Sequence, residues 1–252
     1  MHYYIKKYFP TFIIFFLSNA LILIFAYRII LQYLFSPSQL SFILSIFFSG
    51  CYSFCYLMWI YLYGRLMFQD PGSMIIEKRK INPTPSCKME CSKCHQPKPA
   101  RAHHCSKCGK CIALFDHHCD ALGICVGLRN IKIFVVFIFY SFLLSFCNII
   151  EIVCYSFLFS WKEKGKHFIY DLISNILISI YLGYLLIRYI ILICQGQTTY
   201  EKIFGILTYK NNDWFKNWAR IFEQMSLMWL SPFPTRYEWT NAFYWEENGN
   251  KK

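Results

Sequence analysis

Charge is what this 252-residue chain has least of: only 16% of its residues are Asp, Glu, Lys or Arg. A soluble domain carries about 25%, so an ordinary soluble enzyme is a poor reading. Acidic residues are scarcer still, 14 against 26 basic ones, for a formal net charge of +12. Long polar tracts are also missing. With 25 Phe and 19 Tyr, and 56% of residues apolar, the chain has too much apolar surface to stay solvated as a disordered polymer. No low-complexity tract and no internal repeat is evident, which argues against a solenoid or an array. In a soluble protein the basic excess would suggest nucleic acid. No basic recognition helix accompanies it, so the position of the basic residues matters more than their number.

Four long apolar runs are present: Thr11 to Phe35, Ser38 to Tyr63, Ile133 to Phe159 and Phe168 to Cys194. Each exceeds the roughly 20 helical residues that cross about 30 Å of hydrocarbon. The first is longer than a signal-peptide core and no small-residue cleavage pattern follows it, so it is expected to be a retained anchor. The sequence thus predicts an α-helical integral membrane protein with transmembrane helices at 11–35, 38–63, 133–159 and 168–194. Residues 1–10, 64–132 and 195–252 then share one side of the membrane. That side holds 21 of the Lys and Arg residues, and the opposite loops hold three. Because basic residues concentrate in cytoplasmic flanks, both termini and the middle segment are expected in the cytoplasm. Of the few charges inside spans, Arg28 and Glu151 fall near the outer ends and Arg188 near the cytoplasmic end, within snorkelling reach of an interface. Trp214, Trp218 and Trp229 in the tail suit a membrane surface.

The 13 cysteines are unevenly placed: seven lie between Cys91 and Cys125, with five of the seven histidines. Cys51, Cys55, Cys87, Cys147, Cys154 and Cys194 lie outside and mostly in apolar runs, where cysteine is a small buried hydrophobe. The cluster contains Cys91-Ser-Lys-Cys94, His103-His104-Cys105-Ser-Lys-Cys108-Gly-Lys-Cys111, Asp116-His117-His118-Cys119 and Cys125. Two thiolates separated by two residues reach one metal from a single turn, so the repeated Cys-x-x-Cys pair predicts a zinc module. In a reducing cytoplasm, metal is also a better reading than disulfides. Two closed tetrahedral sites need eight donors. Six cysteines and two histidines supply them and one thiol is left over, but spacing alone does not say which.

Asp116-His117-His118-Cys119, set in this cysteine-rich segment between the second and third of four spans, resembles the DHHC protein S-acyltransferases, or palmitoyltransferases. The likeness extends to Lys98-Pro-Ala-Arg101, to Cys125-Val-Gly127 with Asn130 and Phe134, to Asp70-Pro-Gly72 and to Thr198-Thr-Tyr-Glu201. Asn217 with Ile221-Phe222 is similar to the family's C-terminal element, although Glu223 replaces a usual glycine. The resemblance implies one zinc on Cys91, Cys94, His104 and Cys111 and another on Cys105, Cys108, His118 and Cys125. It leaves Cys119 as nucleophile, with His117 to take its proton or stabilise its thiolate and Asp116 to orient the imidazole. His95 and His103 are expected to be exposed loop residues.

The implied reaction loads Cys119 from a fatty acyl-CoA and passes the acyl group to cysteines of substrate proteins near the membrane. Lys93, Lys98, Arg101 and Lys107 are candidates to meet the CoA phosphates; anionic lipid is the alternative partner for the same charges. An endomembrane location, Golgi or endoplasmic reticulum, is implied, and no nucleic-acid partner. Asp120-Ala121 departs from the family's usual Pro-Trp. An acidic neighbour disfavours a thiolate, so a catalytically weak scaffold that recruits partners through the zinc module is the alternative reading.

Overall fold

A computed structural model of the protein describes residues 39–74, 89–158, 161–206 and 213–222. The first expected span, at 11–35, lies outside them, with Arg28, Cys87 and Trp229. Among the described residues, three helices are long and apolar enough to cross a membrane, over Ile46–Phe68, Ile131–Val153 and Phe168–Cys194. They belong to α1 (Gln39–Phe68), α2 (Ile131–Leu158) and α3 (Trp161–Cys194). Two short helices follow, α4 (Thr199–Phe204) and α5 (Trp214–Phe222).

Helix α1 runs five residues beyond the expected end at Tyr63. Gly64 does not stop it, because a lone helical glycine costs only about 1 kcal/mol. The stop comes at Asp70-Pro71, since a proline disfavours helical geometry in the residue before it. The Asp70 carboxylate then accepts the backbone N–H groups of Gly72 and Ser73 at 3.0 and 2.9 Å, and the Ser73 hydroxyl at 2.6 Å. These bonds fold the Asp-Pro-Gly segment into a turn.

The chain divides into two compact units. One comprises Met1–Tyr63 and Phe137–Ile187. There the Trp59 indole donates to the Ser141 hydroxyl at 2.9 Å and its ring packs against Phe137 at 5.4 Å. Gly183 lies where a side chain would meet the Phe142 ring. Ile173, Leu177, Tyr181, Tyr184 and Ile187 of α3 are exposed, as suits a lipid-facing surface. Glu151 is buried within the protein, with Asn148 on the same helix face one turn away.

The other unit comprises Gly64–Val136 and Arg188–Lys252. It contains three antiparallel hairpins: β1 (Met89–Glu90) with β2 (Pro97–Lys98), β3 (His103–Cys105) with β4 (Lys110–Ile112), and β5 (His117–Cys119) with β6 (Ile124–Val126). Their pairings repeat at a constant offset of 14 residues. Cys91 N–H bonds to Gln96 O, Cys105 pairs with Lys110, and Cys119 pairs with Ile124. The tight-turn position also recurs, with positive φ at His95, Gly109 and Gly123. The expectation of no internal repeat is therefore corrected. The repeat lies in backbone turns and metal donors, and side chains of different chemistry at equivalent positions obscure it.

Candidate active site and metal centres

Alternation along β5 divides its side chains between two tasks. Successive strand residues point to opposite faces, so His117 and Cys119 share one face and His118 takes the other. His118 lies opposite Cys125 on β6, as His104 lies opposite Cys111 on β4. Each hairpin thus delivers a cross-strand His/Cys pair, and the turn of the preceding hairpin supplies two more thiols.

The two resulting sets are Cys91, Cys94, His104 and Cys111, and Cys105, Cys108, His118 and Cys125. Within each, all donor atoms lie within 4.8 Å of one another. In the first, His104 Nδ1 is 3.8, 3.2 and 3.9 Å from the sulfurs of Cys91, Cys94 and Cys111. In the second, His118 Nδ1 is 3.6, 3.4 and 3.6 Å from Cys105, Cys108 and Cys125. Tetrahedral zinc with thiolates at about 2.3 Å puts neighbouring donors about 3.6–3.8 Å apart. Both sets fit that geometry, and three thiols with one imidazole is a structural zinc chemistry with no open position.

Cys119 belongs to neither set. It is half-buried, two residues along the same strand from His117 and on the same face. Asp116 is 1% exposed and fully engaged. Its Oδ2 lies 2.8 Å from His117 Nδ1 and accepts the Tyr189 hydroxyl at 2.9 Å, and its Oδ1 accepts the Thr199 backbone N–H at 2.6 Å. Burial works against the His117 cation, but Asp116, with Cys119 nearby, more than offsets it and holds the imidazole at about 9. The group can therefore carry a proton beside the free thiol.

Thr198 caps α4 in a reciprocal capping box with Glu201, its hydroxyl accepting Glu201 N–H at 3.2 Å while the carboxylate accepts Thr198 N–H at 2.9 Å. The same carboxylate takes both ends of the Arg101 guanidinium fork at 2.6 Å. Thr198-Thr-Tyr-Glu201 thus joins the hairpins to the chain beyond α3. At the other end of β6, Asn130 accepts Gly127 N–H and donates to Cys125 O, both at 2.9 Å, tying a donor-bearing strand to the start of α2.

The four CoA candidates do not share one environment. Lys93 is exposed, Lys98 donates to Ala102 O at 2.7 Å, and Lys107 pairs with Asp120 at 2.5 Å. Arg101 is buried and bound to Glu201 and Gly196 O, which leaves its fork committed inside the protein. The acidic neighbour of Cys119, Asp120, is exposed, pairs with the exposed Lys107 and lies 3.6 Å from His118 Nε2. His103 corrects the expectation of an exposed loop residue, since it lies in β3, half-buried against the Tyr200 ring at 4.2 Å. Burial, then Lys98, lowers it to about 4. His95 is exposed, at the first turn. Tyr189 was not foreseen, because it lies in an apolar run where a tyrosine carries no local signal.

Residues 86–205 match the family described as DHHC palmitoyltransferase. No curated protein matches the chain.

Proposed function

Since residues 86–205 carry a DHHC palmitoyltransferase domain, we propose that this protein is a protein S-acyltransferase with Cys119 as its nucleophile. The observation that carries the reading is the position of Cys119 on the strand face of a half-buried His117 that is held by the buried Asp116, outside both metal-donor sets. In the first step the thiol proton rests on His117, on the nitrogen not engaged with Asp116, and the Cys119 thiolate attacks the carbonyl of a fatty acyl-CoA. The carbon–sulfur bond to CoA breaks, an acyl-Cys119 thioester forms, and CoA leaves with the proton that His117 returns. In the second step a cysteine of a substrate protein gives its proton to His117 and attacks that thioester; the acyl carbon–Cys119 sulfur bond breaks, a thioester forms on the substrate cysteine, and Cys119 is released with the proton back on the Cys119–His117 pair. Asp116 orients the imidazole and stabilises its cation, following the logic of acid–His–nucleophile triads.

Two Zn²⁺ ions would hold the hairpins together as structural metals, one on each Cys₃His set. The apolar spans would accommodate the acyl chain, each buried CH₂ contributing about 0.8 kcal/mol. Lys93, Lys98 and Lys107 remain the proposed phosphate contacts, and the buried Arg101 leaves that group. Both termini and the zinc module would face the cytoplasm of an endomembrane, and the substrates would be proteins with membrane-proximal cysteines.

The test is incubation of purified protein with labelled acyl-CoA. A hydroxylamine-sensitive label lost in Cys119→Ser is expected; label that persists in this variant places the nucleophile elsewhere. Asp120-Ala121 motivates a second reading, a weakly catalytic membrane scaffold. Normal biological rescue by Cys119→Ala would favour that reading.

A further inference from the structure

A buried carboxylate with a single imidazole on one oxygen is free to rotate about its terminal torsion, which has broad wells. Asp116 is held at both oxygens, and one of the donors comes from far outside the motif. The Tyr189 hydroxyl is 2.9 Å from Asp116 Oδ2 and 3.3 Å from His117 Nδ1, and that nitrogen is 2.8 Å from the same Oδ2. The three atoms form a closed triangle. Tyr189, on the penultimate turn of α3, is 5% exposed. Its ring meets Phe134 edge-on at 5.4 Å, and Phe134 meets the His117 ring edge-on at the same distance.

We infer that Tyr189 is a positioning residue for acyl transfer, acting through Asp116 to fix the plane and direction of the His117 imidazole. The inference rests on the proposed role of Cys119 and His117. Oδ2 has lone pairs for two donors. His117 Nδ1–H uses one and the Tyr189 O–H the other, while Thr199 N–H takes Oδ1. Three donors in different directions define the carboxylate plane. The imidazole bonded to it inherits that orientation, with its other nitrogen left for the thiol. The phenol fixes the carboxylate and Phe134 packs on the imidazole, so two side chains at helix ends set the direction of one base.

Tyr189→Phe tests this because it keeps the ring on Phe134 and removes only the hydroxyl. With labelled palmitoyl-CoA, kcat for acyl-enzyme formation should fall about tenfold, the effect of one hydrogen bond to a charged group. KM should stay within about twofold, with metal content unchanged. Alkylation of Cys119 by iodoacetamide should slow in parallel. In a His117→Ala background, Tyr189→Phe should add nothing, because the group it acts through is gone. An undiminished rate in Tyr189→Phe would overturn the inference, as would an equal fold-loss in the His117→Ala background or loss of metal together with rate. If the wild-type chain forms no thioester at Cys119, the enzymatic reading fails by itself, and the alkylation comparison still decides whether Tyr189 directs His117.

Discussion

Replacing Glu201 by Gln should destabilise the hairpin-containing unit by about 3–5 kcal/mol, the cost of leaving one member of a buried ion pair without its partner. An exposed pair would cost 1 kcal/mol or less. The choice between these magnitudes rests on burial: the two side chains are 6% and 3% exposed, and the carboxylate grips the Arg101 fork at 2.6 Å on both sides. Gln fills the same volume and is tolerated as the third residue of a capping box, so this change removes the charge together with one acceptor, because its NH2 must face an Arg101 or Thr198 N–H. At 1.4 kcal/mol per tenfold, the open population of the unit rises about 10²- to 10³-fold. Hydrogen exchange of β3, β4 and α4 amides in detergent reads that population directly. Arg101→Met combined with Glu201→Leu should recover most of the loss, because no unpaired charge is then buried. A cost below about 1 kcal/mol for the single change, or a double variant no better than the single one, would refute the reasoning.

Three further outcomes are expected. Gly127→Ala should lower the thermal midpoint by several degrees, since its Cβ would lie 2.5 Å from Ile112 Cγ2 and 2.8 Å from Pro71 O, an overpacking worth about 1–3 kcal/mol; circular dichroism melting checks it. Elemental analysis of folded protein should give two zinc ions per chain, and Cys108→Ser should reduce metal content and autoacylation together; a single ion in the wild type would break the eight-donor assignment. Leu122→Cys creates a third Cys-x-x-Cys pair around the nucleophile and should make acyl loading sensitive to cadmium. Equal loading of variant and wild type in cadmium would count against the equivalence of the three turns.

The three helices long and apolar enough to cross a membrane were legible because a run such as Phe168 to Cys194 needs only length and apolarity to be recognised. The metal sets were legible for a different reason: Cys-x-x-Cys is a local geometric device whose meaning survives without a fold. Partners brought in from distant segments were not. Arg101 read as a surface cation, and nothing in its neighbourhood announced that Glu201, a hundred residues on, would bury it. Tyr189 read as one more aromatic in a span, and its contact with Asp116 exists only once the end of α3 lies beside β5. Helix ends shifted where a turn bond outweighed composition, as at Asp70.

The 14-residue repeat also gives a physical reason why the free thiol is Cys119. The first two turns present Cys91 with Cys94 and Cys105 with Cys108, and each pair is completed by a cross-strand His and Cys from the next hairpin. In the third turn the position equivalent to Cys94 and Cys108 is Leu122, 4% exposed and packed in the core. The positions that would supply the remaining donors are Lys132 and Phe139, which already belong to α2. Cys119 therefore occupies the first position of a metal turn that lacks its other three donors, on a backbone built to present a thiol. Strand alternation places His117 on the same face, and Asp116 anchors that imidazole. In the proposed function, the reactivity of Cys119 would follow from the incomplete third turn, and the two complete turns would hold it in place.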